Sequence, residues 1–331
     1  MTDVLIIGTG IAGMLAAHVL QEQGALVKLV DKGHYPGGRL ASRDIGPGLA
    51  DHGAQFFTVR NNRFESWVQR WQDEGLVYEW SRGWSNGSLA VSPTDGFPRY
   101  AVQGGMRRLG QHLAAGLDAH QDVQITRVGL EGQDWVAQDT AGETYTARAL
   151  LLTPPVPQSL TLLDAGKVPL HGADRTALEQ ITYGPCLAGM FWLDTPARMP
   201  EPGAVQRPNA PIAWIADNRR KGISPNATVI TVHAGPDYSR LLWNAPDWEV
   251  LVALAGTLRL YQTLDTNVIE QHLHRWRYSQ PTSQLLHNHL LGRGDHHPLL
   301  AFAGDAFGSP RVEGAALSGL AAGTTLAARL G

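Results

Sequence analysis

Four consecutive apolar residues, Val4-Leu5-Ile6-Ile7, read as a strand buried on both faces. Gly8-Thr9-Gly10-Ile11-Ala12-Gly13 follows at once, and Ile11, Met14, Leu15, Ala16 and Val19 then recur at helical spacing up to Gly24. Val27-Lys28-Leu29-Val30 returns as a second strand ending at Asp31, which completes a βαβ unit. A Gly/Pro-rich stretch over 33–53 precedes a helix over 63–74, where Phe64, Trp67, Val68 and Trp71 fall on one face. A second helix is expected over 106–117. Residues 123–128, 135–138 and 144–152 alternate as strands, with Gly132 and Gly142 in the turns. Further on, 187–193, 212–216, 228–233 and 275–279 are short and rich in β-branched or aromatic residues, the pattern of an antiparallel sheet, with a helix over 248–262. Leu299 to Ala303 is an apolar strand, followed by Gly304-Asp305 and an Ala/Gly-rich helix over 314–330.

The order of elements predicts an α/β fold in two interleaved modules. A Rossmann-like nucleotide domain is expected over 1–60, 97–160 and 285–331, and an inserted antiparallel sheet-plus-helix substrate domain over 61–96 and 161–284. The 331 residues are 43% hydrophobic and 17% charged, enough for a sizeable core and against disorder as the main state. Twenty-seven basic and 30 acidic residues leave a net charge of −3, and no basic run exceeds three residues, so a nucleic-acid groove is not expected. The single cysteine, Cys186, excludes an intrachain disulfide framework or a cysteine zinc site. No apolar run reaches the ~18 residues that span a bilayer, and Asp3 stands where a secretory leader carries basic residues. A cytoplasmic protein without a membrane partner, monomeric or weakly dimeric, is the expectation.

Gly8-x-Gly10-x-x-Gly13 carries the first chemistry. Gly8 permits the tight turn out of the strand, Gly10 lets a pyrophosphate approach the backbone, and Gly13 lets the helix pack on the sheet. The phosphates would meet free N–H groups at the helix N-terminus. Asp31 is spaced to accept from the adenosine ribose hydroxyls and would repel a 2′-phosphate there. The dinucleotide is NAD or FAD, and two features favour FAD. Gly37-Gly38-Arg39 offers a second close backbone approach and a guanidinium for phosphate or a flavin carbonyl. Gly304-Asp305 follows the late strand, where Asp305 would take ribityl hydroxyls, and the helix from Gly314 would direct its positive end at the flavin N1/O2 edge.

Beyond these motifs the chain carries Asp51-His52-Gly53-Ala54-Gln55-Phe56-Phe57-Thr58, Trp214-Ile215-Ala216-Asp217-Asn218, His233-Ala234 with Ser239-Arg240, His274-Arg275-Trp276-Arg277-Tyr278 and Val312-Glu313-Gly314-Ala315. Together with the N-terminal pieces these resemble the renalase-like branch of the FAD-dependent amine-oxidase superfamily, essentially from end to end. The resemblance implies non-covalent FAD and oxidation of the 2- and 6-dihydro isomers of NAD(P) to NAD(P)+, with electrons passing to O2 to give hydrogen peroxide. FAD contacts are then expected at Gly8, Gly10, Ile11, Ala12, Gly13, Asp31, Lys32, Gly38, Arg39, His52, Gly53, Ala54, Gln55, Thr153, Gly304, Asp305, Val312, Glu313, Gly314 and Ala315, with the backbone of Val128 meeting the adenine. Many members carry Glu where this chain has Asp31; the shorter acid makes the same ribose contact.

Hydride transfer to a flavin leaves the protein to supply orientation, electrostatics and water exclusion. A dihydronicotinamide becomes an aromatic cation on losing hydride and needs no strong base. Gln55 and His52 are candidates beside the flavin, and Trp214, His233, Arg275 and Trp276 for the substrate pocket: indoles to stack on a nicotinamide, Arg275 or Arg240 to meet phosphates. Each aromatic has a plain alternative as a core residue. Trp67/Trp71 and Trp80/Trp84 read as core. His272/His274, His287/His289 and His296-His297 lack a completing carboxylate, so no metal is expected. Two other functions stay open: a flavin amine oxidase or desaturase, and a non-catalytic flavin-bound redox sensor. Amine oxidases of this superfamily often place a lysine near the flavin; of Lys28, Lys32, Lys167 and Lys221, none has a recognisable active-site context in the sequence.

Overall fold

A computed structural model describes residues 2–87, 94–263, 265–293 and 298–330. Its contacts divide the chain into two units: Met1–Gly38, Gly110–Tyr183 and Gln280–Gly331 form the first, and Arg39–Leu109 with Gly184–Ser279 the second.

The first unit is built on a parallel sheet. Thr2–Ile7 lies between Val27–Val30 and Thr144–Leu152, parallel to both, and Leu300–Phe302 continues the sheet beyond Thr144–Leu152. Asp134–Asp139 and Ile125–Glu131 add an antiparallel arm, and Ala119–His120 extends the other edge. Val4, Leu5 and Ile6 are buried because helices cover both faces, which is why this strand has no polar alternation. Two of those helices, Ile11–Glu22 and Val312–Leu330, pack through glycine: a Cβ on Gly319 would stand 2.0 Å from the Ala12 carbonyl oxygen. The last helix begins at Val312, two residues earlier than expected, which brings Glu313 into its first turn.

The second unit holds a five-stranded sheet in the order Ala204–Gln206, Ile212–Asp217, Thr228–Ala234, Tyr183–Leu193, Val268–Pro281. The pairings resolved strand by strand are antiparallel, as the sequence suggests. One face carries Leu187, Phe191, Ile215, Ile230 and Val232 and packs on Val250, Leu251 and Leu254 of the helix Asp247–Ala255. That helix ends in a tight turn over Gly256–Leu260 rather than continuing to 262. The opposite face carries Ala188, Met190, Thr231, His233 and Trp214 across the strands.

A hairpin of Ser42–Ile45 and Gly48–Asp51 covers part of that second face, with Ile45 and Ala50 packed on Met190 and Val229. This packing places residues 39–60 in the second unit, where the sequence reading assigned them to the nucleotide domain. Residues 97–109 follow, because Arg99–Val102 pairs with Val77–Ser81. Residues 161–183 go the other way: Leu163, Val168 and Leu178 join the core of the first unit.

Candidate active site

In the first unit the register aligns the strand ends. Ile7 pairs with Val30 and Leu152, and Leu152 with Phe302, so Gly8, Asp31, Thr153 and the Ala303-Gly304 turn emerge at the same carboxyl edge of the sheet. Ligands of open α/β sheets bind at that edge. Gly8 has φ +109°, and a Cβ there would lie 2.2 Å from Thr153 Oγ1, which donates to the Ile7 and Gly8 carbonyls. A Cβ on Gly13 would lie 2.1 Å from the Gly8 carbonyl. Gly10 differs: a Cβ would meet nothing within 4 Å, so protein packing does not require glycine there. Gly10 caps the first helix without a side-chain acceptor for the opening N–H groups. Gly37 N–H donates to the Thr9 carbonyl and forms an isolated parallel bridge with Gly10, bringing Gly38 within reach of the same turn.

Asp31 accepts from Thr9 N–H at 2.7 Å and from Gly33 N–H at 2.7 Å, two of about four lone-pair positions. Lys32 is exposed. Asp305 and Glu313 are buried, and Gly304 N–H donates to Ser318 Oγ. Val128 is in the core of this unit, where its carbonyl would lie 1.7 Å from a Cβ on Gly166. The segment that bonds the Asp31–Gly33 backbone is instead Asp122-Val123, with Gln121 bonded to Thr9 through their side chains. Their signal was the end of the short strand before residue 123, too brief to show periodicity.

In the second unit His52 and Gln55 lie in one turn. Gly53 is needed there, since a Cβ would lie 2.1 Å from the Arg39 carbonyl, which also accepts from Ala54 N–H. Gln55 donates through Nε2 to the Asp51 carbonyl at 2.6 Å and accepts from Trp214 Nε1 at 3.2 Å. Trp276 stacks on His52 with ring centroids 5.5 Å apart and donates from Nε1 to the His52 carbonyl at 2.8 Å. His274 is 4.7 Å from His52, ring to ring. His233 stands across from Trp214 on the same sheet face. The structure thus brings together His52, Gln55, Trp214, His233 and Trp276.

Arg275 is placed elsewhere. It donates to the Trp243 and Ala245 carbonyls and to Asp247, tying down the start of the Asp247–Ala255 helix. Successive residues of a strand face opposite ways, so Trp276 and Arg275 cannot share a pocket wall. Arg39 donates to the Tyr278 and Ser279 carbonyls. Arg240 pairs with the exposed Asp237.

Two imidazole nitrogens in this cluster, His52 Nδ1 and His233 Nε2, are buried without a hydrogen-bond partner among the described residues. Burial pushes His52 down to about 3, helped by the nearby His274, His233, Arg43 and Arg107. Burial takes His233 down to about 4; the Lys221 ammonium adds to this, against a hydrogen bond to the His52 backbone. Both rings are neutral at pH 7.

Lys221, for which the local sequence offers no active-site context, joins this cluster in the tertiary structure. Its fully buried Nζ donates to Asp51 Oδ2 at 2.5 Å and to the Gln55 carbonyl at 2.6 Å, and lies 4.9 Å from the Trp80 ring centroid. Asp51 also accepts from Met106 N–H and Ser42 Oγ. Nothing local marks this pair, because the two residues are 170 positions apart. Trp84, read as core beside Trp80, is buried against Trp214 and Phe56, with its indole Nε1 unpartnered among the described residues. Trp71 is core as expected, whereas Trp67 is half-buried under Arg70.

Cys186 is buried and its thiol is pushed up to about 12 by burial. His272 pairs with Glu270, and among the described residues no three His, Cys, Asp or Glu side chains gather into a metal site. His296 and His297 lie outside the described residues. Among those residues, no helix is long and apolar enough to cross a membrane.

The comparisons agree with this architecture. Residues 6–71 match the NAD(P)-binding Rossmann-like domain, and residues 66–326 match the flavin-containing amine oxidoreductase family. Among solved structures the chain is similar to a protein assigned as a protoporphyrinogen oxidase from Exiguobacterium sp. 255-15, with TM-score 0.72, 13% identity and 99% of each chain covered. It is equally similar to putrescine oxidase, both as an A394C mutant and as the wild type bound to putrescine, each with TM-score 0.72, 13% identity and 99% of each chain covered. At that identity the likeness is one of fold: an α/β Rossmann-like FAD-binding domain with a separate antiparallel sheet. The family match spans most of the chain, and this protein belongs to the flavin-containing amine oxidoreductases.

Proposed function

We propose that the protein is an oxidase of isomeric dihydronicotinamide dinucleotides, converting the 2- and 6-dihydro forms of NAD(P) to NAD(P)+ with non-covalent FAD. A flavin-containing family implies FAD, and the first unit fits it: the open space at Gly10, the uncapped helix N-terminus and the remaining lone pairs of Asp31 suit a pyrophosphate and a ribose. Held by the Gly8–Gly13 turn and Asp31, FAD would supply the hydride acceptor and the route of electrons to O2, with hydrogen peroxide as the product. Cys186 is a poor candidate for flavin attachment, because burial keeps its thiol protonated.

The observation that carries the substrate assignment is the flat, neutral cluster around His52: Trp276 stacks on the imidazole at 5.5 Å and His274 lies 4.7 Å away, ring to ring. Such surfaces favour a planar heteroaromatic ring. Trp276, half-buried, offers an indole face for a nicotinamide ring, while Trp214 and His52 are buried. No residue need remove a proton from carbon. The protein's part is to orient the ring and exclude water.

The aromatic group of Trp80, Trp84, Trp214 and Phe56 favours a second reading, amine oxidation, since such rings attract ammonium ions. The buried ammonium of Lys221 already stands over Trp80 and weighs against it. An anaerobic flavin spectrum separates the two. Bleaching by 6-dihydro-NAD, with NAD+ formed and colour restored by air, supports the dinucleotide reading. Bleaching by primary amines alone overturns it.

A further inference from the structure

We propose that Lys221 is a positioning residue, an internal ammonium that clamps both ends of the Asp51–Gln55 turn and so holds His52 and Gln55 in their ligand-binding geometry. The proposal rests on the reading of that turn as part of the binding site.

The local chain is shaped to deliver one amine to one point. Asp217 caps the short helix Asn218–Lys221 by accepting from Arg219 and Arg220 N–H, and Gly222 ends it at φ +96°. Lys221 is thus the last helical residue, and its own carbonyl accepts from Tyr78 Oη. Two of its N–H bonds go to the Asp51 carboxylate and the Gln55 carbonyl, and Nζ lies 4.9 Å from the Trp80 ring centroid. Burial works against the charge on this amine, and the Asp51 carboxylate opposes that effect.

The rest of the turn depends on those contacts. The Asp51 carbonyl accepts from Gln55 Nε2 and from Thr231 Oγ1, while Asp51 N–H donates to Asn218 Oδ1 at 3.3 Å. Asn218 in turn donates to Thr231 Oγ1 and the Val229 carbonyl. Gln55 passes the constraint to Trp214 through its side-chain oxygen. One ammonium therefore ties the helix, the hairpin end and the sheet face to the two residues between Asp51 and Phe56 that offer polar side-chain atoms. A buried ion pair contributes little net stability compared with apolar residues of the same volume. Its directional bonds are what apolar side chains cannot supply.

The test is chemical rescue. Lys221→Ala removes three carbons and the amine, the shape of n-propylammonium. Two readouts apply to the FAD-bound variant: the anaerobic rate of flavin reduction by 6-dihydro-NAD, and the ring 15N signals of His52 by NMR. We expect FAD to be retained, reduction to fall about 100-fold and the His52 signals to shift. Millimolar n-propylamine should restore at least tenfold of that rate and return the signals, and n-propanol neither. An unchanged rate and unchanged signals overturn the proposal, as does equal recovery with propanol, which would mark simple cavity filling. If Lys221→Ala does not fold, the Asp51→Asn/Lys221→Met double variant, which keeps the volume and removes the charges, takes its place. Wild-type rate and signals there overturn the proposal, and failure of both variants to fold assigns the pair a purely structural role. Should the wild-type flavin resist dihydronicotinamides, the functional reading fails, while His52 signals and their recovery by propylamine still decide the clamp.

Discussion

Between Ile7 and Asp31 the first unit offers a ligand main-chain N–H groups and room, all from neighbouring residues in sequence. Between Asp51 and Gln55 the second unit offers side-chain nitrogens, and the partners that hold them come from far along the chain: Asn218, Lys221, Thr231 and Trp276. The first arrangement rests on its glycines, with Thr153 Oγ1 bonded to the Ile7 and Gly8 carbonyls. The second depends on each distant partner, because buried polar groups that lose one member are left unsatisfied.

Removing a partner from the second unit should have the largest effect. Asp51→Ala leaves the Lys221 ammonium buried and unpaired, and a loss of about 3–5 kcal/mol is expected in chemical denaturation. A loss under 1 kcal/mol would mean the pair is not essential to that network.

Acid probes the same cluster without mutation. His52 and His233 titrate near 3 and near 4 in the folded protein, below the ordinary 6.5. The unfolded chain then binds more protons than the folded one between these values and 6.5, so stability falls as pH drops from about 6.5 toward 4. Each ring contributes at most about 1.4 kcal/mol per pH unit. Denaturation at pH 7 and pH 5 should show the loss, and His233→Asn should flatten it.

Two glycines sharpen the contrast from the other side. Gly8→Ala puts a side chain at φ +109° against Thr153 and should cost about 2–4 kcal/mol of stability. Gly10→Ala meets no protein atom, so the melting temperature without FAD should hold while FAD affinity drops roughly tenfold, ~1.4 kcal/mol. Equal effects on both would remove the distinction between packing and ligand space. The smallest change is expected for Arg275→Ala: about 1–2 kcal/mol of stability from lost bonds to the start of its helix, with the rate of flavin reduction unchanged.

Legibility follows the same division. The Gly8–Gly13 turn, Asp31 and Gly304-Asp305 were readable because each follows directly on an apolar strand. The hairpin over Ser42–Asp51 was not, since its two four-residue strands around Gly46-Pro47-Gly48 are too short for alternation to register. Trp276 and Arg275 were both candidates for the pocket, although alternation along Val268–Pro281 already held the information that they face opposite ways. Local sequence alone determined the βαβ unit, the two-face pattern of the second sheet and the FAD-type motifs, because those arise from neighbours and from periods of 2 and 3.6 residues. Tertiary structure decided the ion pair of Asp51 with Lys221, the imidazoles kept neutral and the boundary between the units. Each of these depends on desolvation and contact between residues far apart in sequence, which no local pattern encodes.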